Sequence, residues 1–322
     1  MNNPLLDLSV VIPLYNEQES LPELVAWLNN VLEDFNKTYE IIFIDDGSED
    51  NSWETLKNLV EKYKNIKAIR FNRNYGKAAG LNTGFGLAQG RVVITMDADL
   101  QDSPDEIPAL YAMIIEQGYH VVSGWKKKRY DPLSKTIPTK LFNFVTRKFS
   151  GIKLHDFNCG LKAYDYRVAK SIEIYGEMHR YIPVIAKWHG FKKIGEKVVE
   201  HRPRKYGVTK YGLERFLYGF LDLLSITFVT KFRKRPMHFF GAWGLLSFIV
   251  GFIITLWLVT EKFYKSRLGL RVRDVTDQPL FYLALVAVIV GVQLFLAGYI
   301  TEMLNSFHSK KNEYIISDKL NC

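Results

Sequence analysis

Cysteine is nearly absent from this chain, with only Cys159 and Cys322 among 322 residues. A disulfide scaffold is therefore excluded, and a reduced compartment is the default. His155, His179 and His201 lack the spacing of a zinc site, so none is expected. No internal repeat or low-complexity tract is evident. The amino terminus Met1-Asn2-Asn3-Pro4 carries neither a basic n-region nor a long apolar h-region. A cleaved signal peptide is not expected. Acidic residues are in deficit, 34 against 43 Lys and Arg, leaving a net charge of +9. That excess points to nucleic acid, anionic lipid or phosphorylated substrates. Nucleic acid is set aside, because much of the charge lies beside long apolar runs.

What is present is apolar and aromatic material, 48% and 14% of the chain, ample for a core and more. Up to about residue 125, short apolar runs alternate with amphipathic segments. Strands are predicted at 8–13, 39–44, 66–71, 91–96 and 120–124. Between them, Ser20-Leu21-Pro22-Glu23 reads as a capping box, followed by Leu24, Leu28, Val31, Leu32 and Phe35 at helical spacing. Ser103-Pro104 reads as a second helix start, with proline at its first position. This alternation predicts an α/β fold with a largely parallel sheet and right-handed crossovers.

Beyond residue 125 the character changes. Residues 132–150 and 211–236 are aromatic and apolar with basic flanks, as expected of helices lying in a membrane interface. Packing against the sheet is the competing reading. Residues 239–260 and 279–301 carry no formal charge and are each long enough to span ~30 Å of hydrocarbon. They predict a two-helix transmembrane hairpin with both chain ends on one side. The expected organisation is a catalytic domain over 1–210, a juxtamembrane helix over 211–236, and the hairpin with a short tail over 237–322. Flanking charges orient the hairpin poorly. Lys231, Arg233, Lys234, Arg235, Lys310 and Lys311 on one side nearly balance Lys262, Lys265, Arg267, Arg271 and Arg273 in the connecting loop.

The chemistry-bearing residues cluster at predicted strand ends. Asp97 and Asp99 follow the run Arg91–Thr95, at the carboxyl end of a strand, where open α/β sheets bind ligands. Hard carboxylate oxygens at that spacing suit Mg²⁺ or Mn²⁺ carrying a diphosphate. Alone, the pair could equally be a solvated strand end. Two further strand ends carry acids: Pro13-Leu14-Tyr15-Asn16-Glu17 and Asp45-Asp46-Gly47-Ser48. A carboxylate at such an edge can accept hydrogen bonds from a base or ribose. A turn with a helix cap is the other reading of Asp45-Asp46-Gly47-Ser48.

Residues 10–19, 44–50, 72–76 and 97–101 resemble, in order and spacing, the signature segments of glycosyltransferase family 2. Asp156-Phe157-Asn158-Cys159-Gly160-Leu161-Lys162, His179-Arg180-Tyr181-Ile182-Pro183 and residues 201–211 resemble the polyprenyl-phosphate glycosyltransferases within it. Dolichol-phosphate mannose synthases and bactoprenol glucosyltransferases belong there. The resemblance implies a GT-A fold and inverting transfer of a hexose-type sugar from a nucleotide-sugar to a polyprenyl phosphate. A uridine donor is favoured and GDP-mannose stays open. It implies Mg²⁺ or Mn²⁺ at Asp97, Asp99 and Gln101, and donor contacts at Pro13, Tyr15, Glu17, Asp45, Asp46 and Asp97. Two phosphate-bearing substrates must approach each other, and the departing diphosphate gains charge. Arg202, Arg204 and Lys210 are the basic candidates for that work. A lipid-binding basic patch is the alternative for that cluster. The resemblance also implies a basic contact after the fifth strand, where Lys126, Lys127, Lys128 and Arg129 all stand; Arg129 is taken as the substrate contact, and the other three stay open. Arg180 is expected to touch phosphate or sugar, or to form a helix-end salt bridge. Asp156 matches a position facing the acceptor, as base, hydroxyl-orienting group or turn residue. Nucleotide-sugars are held in the cytosol. The implied location is therefore the inner (plasma) membrane, multi-pass, with the catalytic domain cytosolic. A homo-oligomer is left open. A processive polysaccharide synthase is disfavoured, because no tryptophan here ends a Gln-x-x-Arg-Trp segment. A non-catalytic scaffold is disfavoured because Asp97, Asp99 and Arg202 are all retained.

Overall fold

A computed structural model describes residues 4–127, 133–176, 178–206, 236–270, 273–307 and 316–320. The chain divides into two compact units. One holds the sheet and its helices, and the other holds the two long apolar helices.

The sheet is built from β1 (Leu6–Leu14), β2 (Tyr39–Asp45), β3 (Ile66–Phe71), β4 (Gly90–Thr95), β5 (Val121–Trp125), β6 (Lys162–Asp165), β7 (Ile194–Val198) and β8 (Ile316–Leu320). Their spatial order is β7-β5-β6-β4-β1-β2-β3-β8. β1 pairs in parallel with both β2 and β4, and β2 with β3. β6 and β8 run antiparallel to their neighbours. Leu8, Val10, Val11 and Ile12 are all inaccessible. An unbroken apolar run of this kind marks a central strand covered on both faces. The five predicted strands are present. β6, β7 and β8 were not predicted; β6 opens on Lys162, and β7 is only half-buried, so neither carries a strong apolar pattern. β8 lies in the stretch expected to be a plain tail, and instead lengthens the sheet beside β3.

The helices of this unit are α1 (Leu21–Asp34), α2 (Ser52–Lys62), α3 (Lys77–Leu87), α4 (Ile107–Ile115), α5 (Leu133–Ser150), α6 (Tyr166–Ser171) and α7 (Ile182–Trp188). Of the residues at helical spacing, α1 buries Leu24, Leu28 and Leu32, together with Leu21 and Val25, while Val31 and Phe35 are half-buried. The capping box is not formed. Ser20 makes no cap bond, and its hydroxyl turns back to donate to the carbonyl and carboxylate of Glu17. Ser103 precedes a short 3₁₀ turn with Pro104 at its first position, and α4 starts only at Ile107.

α3 lies unusually close to the sheet. A Cβ on Gly84 would fall 2.2 Å from Val11 Cγ1, and one on Gly80 would fall 3.0 Å from Pro13 Cβ. Only hydrogen at these positions lets the helix settle against β1. Its first residue, Lys77, is thereby brought to the ends of the strands. Chain direction runs β1 to β2 to β3, then returns to β4 on the other side of β1. The order therefore switches between β1 and β4, where ligands bind in such sheets.

The second unit is the antiparallel pair α8 (Pro236–Arg267) and α9 (Pro279–Phe307). Both contain windows long and apolar enough to cross a membrane, with 17% and 11% of each window buried. That exposure is opposite to the environment of a core helix in a soluble protein. Ala284 is inaccessible between them, and Ser247 Oγ donates to the Ala287 carbonyl at 2.8 Å. The predicted juxtamembrane helix over 211–236 lies almost wholly outside the described residues.

Candidate active site

β4 ends at Thr95, and the next turns of chain carry Asp97, Asp99 and Asp102. Leu100 takes a left-handed conformation, φ 60°, rare for a residue with a branched side chain. It folds the backbone so that Asp99 Oδ1 accepts the Gln101 amide at 3.2 Å. Three acids thus crowd one corner, Asp99 and Asp102 buried and Asp97 half-buried. The fold answers them with cations from separate elements. Lys77 Nζ contacts Asp97 Oδ1. Arg204 Nη2 donates to Asp99 Oδ2 at 2.6 Å, and its Nη1 lies 3.8 Å from Glu17 Oε1. Lys126 Nζ lies 2.7 Å from Asp102 Oδ1, with Asp102 inaccessible.

Protonation follows from this layout. Burial pushes the Asp99 carboxyl up to about 6, helped by neighbouring Asp97 and Asp102 and resisted by Arg204 and Lys126. Burial would raise Asp97 too, but Lys77, with Lys126 and Lys162 behind it, holds it below the usual range. Burial alone would lower the Lys126 ammonium, yet Asp102 outweighs it and the group stays charged. Burial lowers Lys162, with Lys77 adding repulsion.

The Asp45-Asp46 corner is built differently. Asp45 Oδ1 accepts the Ser48 amide at 2.9 Å, and Arg70 Nε lies 3.5 Å from Oδ2. Asp46 accepts the Tyr75 amide at 2.7 Å on one oxygen and the Gly76 amide at 2.9 Å on the other. Burial pushes its carboxyl up to about 6, against those two donors. Asp46 therefore fixes the loop that opens α3, and through it the place of Lys77. The β1 corner is tied to the segment that follows Asp46 into α2. Ser48 Oγ accepts the Asn16 amide and Ser52 Oγ accepts the Glu17 amide, both at 2.8 Å.

Asp97 rests on Gly160. A Cβ there would lie 2.5 Å from Asp97 Oδ2 and 2.6 Å from its Cγ, so only glycine admits the carboxylate. Thr95 Oγ1 donates to the Gly160 carbonyl at 2.9 Å and holds it in place. Next to it opens a narrow recess whose walls include Lys77, Asn158, Lys162, Tyr164, His179 and Arg180. Asp156 is buried, and its Oδ1 accepts the Asn158 amide at 3.0 Å, two residues on. Arg202 does not meet the carboxylate pair. Its guanidinium stacks on Trp27, 4.2 Å from the ring centroid, and Nε lies 3.4 Å from Glu200 Oε1. Gln101 Nε2 donates to the Arg202 carbonyl at 3.4 Å. The structure therefore brings together Asp97, Asp99, Glu17 and Arg204 of the predicted set. It adds Lys77, Lys126, Gly160 and Lys162, and sets Arg202 apart. Arg129 and Lys210 lie outside the described residues. Lys77 directly follows the signature segment 72–76, which was its only signal in the sequence.

The profile of Glycosyl transferase family 2 matches residues 9–172, just over half of the chain. The chain belongs to glycosyl transferase family 2. Among its relatives, dodecaprenyl-phosphate galacturonate synthase of Rhizobium johnstonii is 34% identical over 94% of this chain and 89% of its own. Undecaprenyl-phosphate 4-deoxy-4-formamido-L-arabinose transferase of Yersinia pestis is 34% identical over 81% and 78%. Glucosyl-3-phosphoglycerate synthase of Mycobacterium tuberculosis, solved with UDP, matches at TM-score 0.55 and 16% identity over 69% and 80%. The same enzyme with Mn²⁺, UDP-glucose and phosphoglyceric acid matches at TM-score 0.53. The GT-A fold implied by the family 2 resemblance is the fold of this chain.

In this family 2 site, a divalent ion fits the residues present. Among the described residues no group of three His, Cys, Asp or Glu could hold a metal alone. Asp97 and Asp99 would leave further positions to diphosphate oxygens and water, the usual manner of Mg²⁺. The crowding of Asp97 and Asp99 at one strand end is a donor set whose mutual repulsion a divalent cation would relieve.

Two outcomes follow. Gly160→Ala is expected to lose at least ~10²-fold in turnover, as displacement of the carboxylate removes an electrostatic stabiliser. Its circular dichroism and melting curve should stay near wild type. Wild-type kinetics would contradict the contact. Asp99 acts ionised, so kcat/KM is expected to fall as pH drops through about 6. Arg204 favours the ionised form, so Arg204→Gln should move that limb to higher pH. A limb unmoved by Arg204→Gln assigns it to another group, such as Asp46.

Proposed function

We propose that this chain transfers a hexose-type sugar from a nucleotide-sugar to a polyprenyl phosphate, with inversion at the anomeric carbon and dependence on Mg²⁺ or Mn²⁺. The observation that carries the reading is the acid cluster after β4, met by cations from α3, the β5 end and the loop after β7. Relatives that act on polyprenyl phosphates along most of the chain support the acceptor class. A fold neighbour that binds Mn²⁺ with a uridine donor is in keeping with the metal and the base.

The acceptor phosphate is anionic near neutral pH and needs little general base. One of its oxygens attacks the anomeric carbon from the face opposite the diphosphate. The new carbon–oxygen bond forms as the bond to the nucleoside diphosphate breaks, and the electron pair leaves with the diphosphate. A divalent ion held by Asp97 and Asp99, with Gln101 beside them, supplies charge neutralisation for that leaving group. Lys77 holds Asp97 ionised and in position. Arg204, bound to Asp99 and near Glu17, is placed to meet a phosphate in its planar fork. Asp45, buried at the end of β2, is assigned to base or ribose recognition. Asp46 is assigned to ordering the Tyr75–Lys77 corner. Asp156 keeps an orienting role at the acceptor side, and Arg202 and Lys210 are further phosphate contacts.

The proposed organisation is a cytosolic catalytic domain over 1–210, an interfacial helix over 211–236 and a multi-pass anchor in the inner membrane over 237–322. α5 supports an interfacial role, since Phe144 and Phe149 are well exposed beside Lys140 and Lys148. Cytosolic placement matches the supply of nucleotide-sugars.

The test uses the purified full chain, undecaprenyl phosphate and a panel of labelled nucleotide-sugars, with extraction of lipid product. A labelled lipid is expected with at least one donor, reduced at least ~10²-fold by Asp99→Ala. Absence of lipid product with every donor overturns the reading. Full activity of Asp99→Ala with chelator present overturns its metal dependence.

A further inference from the structure

The two carboxylates proposed to hold the metal are engaged at each of their four oxygens. Asp97 Oδ1 meets the Lys77 ammonium, and Asp97 Oδ2 lies against Gly160. Asp99 Oδ1 accepts the Gln101 amide at 3.2 Å, and Asp99 Oδ2 accepts from Arg204 Nη2 at 2.6 Å. A guanidinium and a divalent ion on one oxygen repel each other, so one excludes the other. Arg204 differs from the other three partners. The Gln101 amide and Gly160 belong to the backbone. Lys77 starts a helix whose place Asp46, Gly80 and Gly84 fix. Arg204 reaches Asp99 from the segment after β7, and its other terminal nitrogen lies 3.8 Å from Glu17 Oε1. It thus spans acids that follow β1 and β4, the strands between which the order of the sheet switches.

The backbone beside Arg204 is pinned. The Arg202 amide donates to the Gln101 carbonyl at 3.0 Å, Asp102 bridges His201, and Tyr206 packs on the core. Release of Asp99 therefore needs only a rotation of the Arg204 side chain, which is 28% exposed. A diphosphate offers the planar fork two oxygens at once, where Asp99 and Glu17 offer one each. We propose that Arg204 competes with the divalent ion for Asp99 and leaves Asp99 for the donor diphosphate, so that metal and nucleotide load together. The inference rests on the nucleotide-sugar reading above and assigns the residue that couples the two loading steps. An Asp99 that is accessible in one chain out of ten binds the ion about tenfold more weakly than an unopposed one.

Binding of each partner by itself tests this without turnover. Mn²⁺ is titrated into the full chain in detergent and followed by electron paramagnetic resonance of the free ion, alone and then with UDP or GDP. The affinity for UDP and for GDP is measured by calorimetry with chelator present. Arg204→Gln is expected to move the two affinities in opposite directions. Mn²⁺ alone should bind at least ~10-fold more tightly than in wild type, and the preferred nucleotide alone should bind more weakly. Arg204→Met should behave alike, which covers an Arg204→Gln protein that does not fold. Arg204→Lys, which keeps a cation beside Asp99, should leave Mn²⁺ alone bound as in wild type. Adding Asp99→Asn to Arg204→Gln should remove the gain. Mn²⁺ affinity that is unchanged or lowered in both neutral variants overturns the exchange. So does a gain that survives Asp99→Asn, or a nucleotide affinity that Arg204→Gln leaves unchanged. Failure of wild type to bind Mn²⁺ even with UDP or GDP present overturns the metal assignment itself, and the exchange with it.

Discussion

The site depends on one electrostatic constraint: three carboxylates within six residues at the end of β4, two of them, Asp99 and Asp102, buried and the third, Asp97, half-buried beside them. Asp97, Asp99 and Asp102 repel one another, and burial adds to the cost. A buried charge left without its partner costs about 3–5 kcal/mol. Lys77, Lys126 and Arg204 supply the partners, and each comes from a different part of the fold. The acid cluster can thus be assembled only when α3, the β5 end and the segment after β7 are all in register. Burial still raises the Asp99 carboxyl, with Asp97 and Asp102 adding to the shift. A divalent ion at Asp97 and Asp99 would relieve the repulsion between these neighbouring carboxylates.

Geometry enforces the same arrangement by packing. Gly80 and Gly84 let α3 lie against β1, and Asp46 ties the Tyr75 and Gly76 amides, so Lys77 has one place to go. Gly160 gives Asp97 a floor, and Thr95 fixes that floor from β4. The segment carrying Arg204 is held by the Arg202 amide on the Gln101 carbonyl, by Arg202 on Trp27, and by Lys205 on Glu23 at 2.6 Å. The last two contacts are solvent-exposed, and exposed ion pairs contribute little. The same segment is also held by the bridge between Asp102 and buried His201 and by Tyr206 against the core.

The parallel core was legible in the sequence because its strands are continuous apolar runs separated by strong helix periodicity. β6 was hidden by Lys162, whose charge interrupts the apolar pattern at the start of a four-residue strand. β8 was hidden by its distance from β3 along the chain, which local periodicity cannot bridge. Among site residues, the carboxylates could be read because acids at strand ends stand out against apolar neighbours. Their counter-ions could not. Arg202 and Arg204 are two residues apart and chemically alike, and only the folded loop separates the one on Trp27 from the one on Asp99. Lys126 was one of four consecutive basic residues until burial against Asp102 distinguished it. The serine at position 20 had every local mark of a helix cap, yet Glu17 competes for its hydroxyl.

The most direct test of the central claim is a Mn²⁺ titration in the presence of UDP, read by electron paramagnetic resonance of the free ion. The carboxylates predict one Mn²⁺ per chain that requires UDP, with affinity lowered at least ~10-fold in Asp99→Asn and again in Asp97→Asn. Unchanged Mn²⁺ affinity in the Asp97→Asn, Asp99→Asn double variant would contradict it, and would leave the acid cluster as a purely structural feature of the strand end.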